Sequence, residues 1–92
     1  MTLARGNIEG YEFDRMVLKF SMMDGDREIP CAVSASAMDD LERGVRTPAE
    51  KREEQFVRLR DRIEQCASRK YMAREFEGTP PGLILRSIDF RN

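Results

Sequence analysis

The sequence predicts a two-layer α+β domain, and three observations carry that reading. Residues 16–34 alternate apolar and polar side chains on both sides of an Asp-Gly pair, the pattern of an N-terminal β-hairpin. Residues 47–74 carry apolar residues at steps of three and four behind a Thr-Pro start, the pattern of one long amphipathic helix. Residues 83–90 form a last apolar run after a Gly/Pro-rich break, the pattern of a closing strand. A helix with a narrow apolar stripe needs a sheet face to cover, and three strands supply one.

Each element has its own signals. Residues 1–10 are polar and contain glycine, so a loose lead-in is expected, with Tyr11 and Phe13 anchoring it to the core. In 16–23, Met16, Leu18, Phe20 and Met22 share one face, opposite Lys19 and Ser21. Asp24-Gly25-Asp26 is the turn, and Ile29, Cys31 and Val33 face the core on the return. Pro30 lacks an N–H, which makes this strand, or that side of it, an edge.

Ser34 or Ser36 opens a short helix, and Ser36 with Asp39 resembles a capping box. Gly44 is its left-handed stop. Thr47-Pro48-Ala49-Glu50 then combines an N-cap hydroxyl, a first-turn proline and a third-position glutamate. The stripe of the helix it starts is Phe56, Leu59, Ile63, Cys66 or Ala67, and Lys70 or Tyr71. Glu54–Arg58 and Arg60–Glu64 are spaced for ion pairs. Residues 78–82 cannot continue a helix. Leu83 to Leu85 is apolar on both faces, which suggests an interior strand.

Ninety-two residues fit one domain, 1–92, with one modest core. Charged residues reach 36 %, above the usual quarter, so that core sits under a heavily charged surface. The net charge of −1 excludes a global field steering the chain to nucleic acid or a membrane. Residues 1–44 hold 5 basic and 9 acidic side chains and residues 45–92 hold 11 and 8, an asymmetry that either orients the chain on a second copy or a partner or, the preferred reading, is only the composition of one charged helix. No run has signal-peptide character or the ~18–20 apolar residues of a membrane span, so a cytoplasmic location is expected. Cys31 and Cys66 are then free thiols that behave as small hydrophobes.

The order and spacing of several short motifs resemble a known family. These are Tyr11-Glu12-Phe13-Asp14, Val17-Leu18-Lys19-Phe20, Glu28-Ile29-Pro30-Cys31-Ala32-Val33, Phe56 to Arg62-Ile63, Tyr71-Met72-Ala73-Arg74 and Ile88-Asp89-Phe90. Over residues 11–90 the chain is similar to the small bacterial family known only as domain of unknown function 1488. Relatives often carry an aromatic where Cys31 and Ala32 stand, so this strand is less bulky here. The resemblance implies a compact α+β fold and assigns no activity, cofactor or site residue.

Few residues are equipped for chemistry. The sequence has no histidine, which removes the commonest general base and metal ligand. Two cysteines cannot make a Cys₄ zinc site, and the scattered glycines form no phosphate loop. Asp24 and Asp26 flank a turn glycine without the acidic spacing of a calcium loop. No cofactor and no metal is expected.

Three readings of function follow. The first is a non-catalytic protein-interaction or regulatory module, acting on a protein partner or on a second copy. It rests on an open sheet face lined by Val17, Met23, Ala32 and Leu85 or Ile84. The second is a weak nucleic-acid binder through Arg69, Lys70, Tyr71 and Arg74 at the helix end; basic residues there also complement the helix dipole. The third is a small enzyme using carboxylates or Cys31. The first is preferred, with Arg69, Lys70, Tyr71, Arg74 and Met23 as the candidate interaction surface.

Overall fold

A computed structural model describes residues 3–91. Its strands are β1 (Ala4–Glu12), β2 (Val17–Asp24), β3 (Arg27–Ser34) and β4 (Leu83–Leu85), and its helices are α1 (Ala35–Leu41) and α2 (Arg52–Met72). Short 3₁₀ turns span Ala49–Lys51 and Ser87–Phe90. The sheet order is β1-β2-β3-β4, antiparallel except for the parallel β3–β4 pair. The α+β class therefore stands, with one strand more than the sequence reading.

The hairpin forms where the sequence places it, with Asp24 opposite Arg27. Gly25 takes the first turn position at φ +62°, a conformation that costs glycine nothing. Leu18, Phe20 and Met22 pair with Val33, Cys31 and Ile29, and all six point into one core. Against them lies the predicted face of α2, where Phe56, Ile63, Cys66 and Ala67 are buried and Leu59 is half-buried. The Phe20 and Phe56 rings meet at 4.9 Å.

The lead-in departs from expectation. It is strand β1, not a loose segment; Met1 and Thr2 lie outside the described residues. Bulges between Arg5 and Gly10 hide its pairing from a period-two reading. Contacts to α2 fix it: the Leu3 N–H donates to Ser68 Oγ at 3.1 Å, and Arg60 donates to the Gly6 carbonyl at 3.2 Å. Phe13 does not anchor to the core, because the β1–β2 turn carries it out to solvent.

Other elements are placed correctly but differ in detail. Ser34 caps α1 through the Ala37 N–H at 3.0 Å, while Asp39, expected in a Ser36 capping box, turns to α2. Gly44 is left-handed (φ +78°) as expected, one residue after left-handed Arg43. The Thr47-Pro48 signal marks the start of the long helix, but the first turn is 3₁₀ and Thr47 makes no side-chain cap. Arg60–Glu64 forms at 2.9 Å; Arg58 reaches Glu42 instead of Glu54, which lies beside Lys51.

Strand β4 is an edge rather than an interior strand, and it ends at Leu85, where the Ser87–Phe90 turn replaces the predicted extension. Strand β3 is interior, yet β4 pairs only with Cys31 to Val33. Counting the ladder from Asp24–Arg27 puts Pro30 at a non-hydrogen-bonded position towards β2, so its missing N–H faces the β4 side, just before that pairing begins. There Gly82 passes so close that a Cβ would stand 2.5 Å from the Pro30 carbonyl oxygen. Gly82→Ala is expected to cost about 1–3 kcal/mol through overpacking, a fall of roughly 5–20 °C in melting temperature for a chain this short. A melt within about 2 °C of the parent would show that β4 can step aside.

The open sheet face is less bare than expected. Val17 and Ala32 are buried, Leu85 belongs to the core on the other side, and Ile84 is half-buried. The segment around Thr79 and Pro80 flanks that face beside Lys19 and Pro30. For self-association the face keeps half-buried Met23 and Ile84 as its apolar surface.

Candidate functional site

The residues placed at the end of α2 do not assemble into one surface. Lys70 is buried, and its Nζ donates to the Ile84 carbonyl at 2.8 Å and to Asp89 Oδ2 at 3.1 Å. The Tyr71 hydroxyl donates to the Asp24 carboxylate, and the Tyr71 ring packs edge-on against Phe76 at 5.6 Å. Arg69 is exposed but donates to the Asp89 carbonyl. Arg74 is exposed just beyond the helix in a left-handed conformation (φ +59°). Met23 is half-buried and, next to core-facing Met22, points to the opposite sheet face. Lys70 and Tyr71 hold the fold together instead of forming a binding face.

The cysteines follow the structural reading. Both are free and buried. Burial pushes the Cys31 thiol up to about 12, so it holds no thiolate at neutral pH, and burial raises Cys66 as well. Among the described residues, no group of three or more His, Cys, Asp or Glu side chains is arranged to hold a metal. Nor is any helix long and apolar enough to cross a membrane.

A different cluster joins α1 to α2. Arg52 is only 4 % exposed. Its Nη1 donates to Asp39 Oδ1 at 2.6 Å and to Gln55 Oε1 at 2.7 Å, and its Nη2 donates to Asp39 Oδ2 at 3.3 Å. Fully buried Gln55 returns its amide to Asp39 Oδ1 at 3.0 Å and to Glu42 Oε1 at 3.1 Å. Arg58 closes the chain with a two-pronged contact to Glu42, both arms 2.9 Å. Burial alone would raise the Asp39 carboxyl, but hydrogen bonds from Arg52 and Gln55 outweigh it and hold the group below its ordinary value. The hydrogen bond from Arg58 lowers Glu42 against its own burial. The cluster is a neutral set of two acids and two guanidiniums.

Arg52 is also part of the wall of a cleft of about 590 Å³. One side is the β1–β2 turn, with Tyr11, Phe13, Asp14 and Met16; the other is the Arg46–Ala49 approach to α2. The Met16 carbonyl accepts from the Ala35 N–H at 2.9 Å, which fixes the turn against the start of α1. Met16 is left-handed (φ +55°), a conformation that is uncommon outside glycine and directs its side chain outwards. Phe13 is 72 % exposed at the rim, edge-on to Tyr11 at 6.4 Å. The Tyr11 ring lies beside the Arg52 guanidinium, 5.7 Å from Cζ to the ring centroid. The cleft thus offers aromatic and thioether surface beside two arginines, and its lining contains one carboxylate, Asp14.

Sequence reasoning missed this site, although a signal was present. Arg52 stands four residues before Phe56, and Gln55 three after Arg52, so helical periodicity puts both near the core stripe. Their polarity argued against burial.

Comparison with known proteins agrees with the fold. No curated protein matches the sequence. A solved structure described as a protein of unknown function from the DUF1488 family of Shewanella loihica PV-4 superposes with a TM-score of 0.78, at 14 % identity, over 92 % of this chain and 93 % of that one. At that identity the likeness speaks for the fold alone. The family described as Protein of unknown function (DUF1488) matches residues 6–82, most of the chain, and this protein belongs to that family.

Proposed function

We propose that this chain is a non-catalytic interaction module of the cytoplasm, and that it engages its partner through the cleft between the β1–β2 turn and the start of α2. One observation carries the reading: Phe13 and Met16, 72 % and 49 % exposed, stand together at the rim of this cleft. Exposed aromatic and methionine side chains around a concavity are what binding surfaces carry.

An enzymatic reading finds less support. The cleft lining holds one carboxylate and no pairing of a nucleophile with a base, and the Cys31 thiol stays protonated. A nucleic-acid reading through the end of α2 loses Lys70 to the interior.

The test is affinity capture from lysate of the native host, comparing the parent chain with a Phe13→Ser/Met16→Ser variant. Both positions are exposed, so the variant should fold, which circular dichroism verifies. A captured partner should bind the variant about tenfold more weakly or worse, the cost of removing an interface anchor. Identical capture by both chains would sink the proposal.

A further inference from the structure

Arg52 uses only part of its hydrogen-bonding capacity. Asp39 takes one N–H from each Nη, and Gln55 takes the second N–H of Nη1. Nε has no partner, although it is buried. A planar guanidinium with these groups engaged keeps one free edge, the parallel N–H bonds of Nε and Nη2. That edge is the fork that fits the two oxygens of a carboxylate. Leaving a buried donor unpaired is costly, so a ligand that supplied the acceptor would recover that cost on binding.

The surroundings specify the rest of the ligand. Arg46 adds a second cation on the cleft wall, and the first turn at Ala49 adds the positive end of α2. Tyr11, Phe13, Met16 and Pro48 supply apolar surface. A volume near 590 Å³ is that of an ordinary small-ligand site. Because Nε is out of reach of solvent, entry requires the Tyr11 ring to swing away from the guanidinium.

We infer that this cleft takes a carboxylate carried on an apolar body, the carboxylate on the free edge of Arg52 with help from Arg46, the body between Phe13, Met16 and Pro48. The inference rests on the cleft being the recognition surface. The carboxylate is that of an acidic residue beside an apolar one in a partner's chain, the partner to which exposed Phe13 and Met16 at the rim point.

The experiment is a two-dimensional ¹H–¹⁵N titration of the full chain, in which the Arg52 Nε–H gives its own signal. The probes are 3-phenylpropionate, its uncharged amide, and the acetylated dipeptide amides Phe-Glu and Phe-Gln. The expected result is a saturable shift of Arg52 Nε–H and of the backbone amides at 13–16 and 46–49 with phenylpropionate or Phe-Glu. The amide and Phe-Gln should bind about tenfold more weakly, the range of a charge-assisted hydrogen bond. Tighter binding of Phe-Glu than of phenylpropionate supports a partner's acidic residue as the source, and the reverse order would overturn it.

Arg46→Gln, at an exposed position, should weaken binding without affecting the fold. Arg52→Lys, which keeps the charge but lacks the Nε edge, should weaken the preference for acid over amide, with Arg46 retaining part of it. No saturable shift with either acid up to about 10 mM, or equal binding of acid and amide, would overturn the inference. If the Phe13→Ser/Met16→Ser variant still lost a captured partner in that event, the interaction module would survive and only this ligand chemistry would fall.

Discussion

Replacing Asp39 with alanine is expected to cost the fold about 3–5 kcal/mol, the range for breaking a buried ion pair. The total stability of a chain this size is only about 5–14 kcal/mol, so the melting temperature should fall by at least roughly 12 °C. The loss is large because Asp39 accepts two bonds from Arg52 and one from Gln55, and both donors are buried. Its removal strands a guanidinium with 4 % exposure. The double variant Asp39→Leu/Arg52→Met should be more stable than Asp39→Ala alone, because it removes both charges. Thermal melts of the three chains decide the matter; a double variant no better than the single one would show that the contact matters for shape rather than charge. The pH dependence has a definite sign. Because the folded Asp39 carboxyl lies below its ordinary value of about 3.9, its contribution is complete above that value and drains away as pH falls through the lower folded one. Asp39→Ala should therefore flatten the acid limb of the stability curve.

The second large effect belongs to Phe56→Ala, with an expected loss of about 3–5 kcal/mol from the cavity alone. Phe56 is fully buried, lies against Phe20 with ring centroids 4.9 Å apart, and carries the Arg60 guanidinium 5.5 Å above its ring. It joins α2 to the centre of the hairpin, so nothing nearby is free to collapse into the space it leaves. Urea unfolding should show the midpoint falling with little change in slope, the sign of lost stability without a change in the surface exposed. Phe56→Leu should recover most of the loss. An alanine variant with an unchanged midpoint would mean that the helix does not rest on this ring.

Periodicity made the hairpin and the core face of α2 legible, because Leu18, Phe20, Met22, Phe56 and Ile63 obey periods of two and 3.6 without interruption. Where the backbone breaks its period, legibility failed. Strand β1 bulges twice, so Ile8 and Tyr11 join the core edge while Gly6 and Gly10 read as loop. The candidate site was hidden for a related reason. Asp39 reads locally as part of a helix cap, but its side chain partners Arg52 across the fold, and sequence displays only the local pattern. Phe13 read as an anchor because aromatic residues usually bury; the three-residue spacing to left-handed Met16 throws it outwards instead. Lys70 was named both for the stripe and for the basic end, and the carbonyl of Ile84 decides in favour of the stripe.

The parallel seam bears on how the chain matures during synthesis. Leu83 pairs with Cys31, and α1 and α2 lie between them in the chain. Residues 4–34 suffice for a three-stranded meander, yet that meander would present Leu18, Phe20 and Met22 to water until α2 had been made. Bringing distant segments together grows only slowly more costly with the length between them, so the delay is set by translation rather than by the search. A nascent chain on the ribosome is consequently most vulnerable to aggregation between the appearance of Ser34 and that of Ile63.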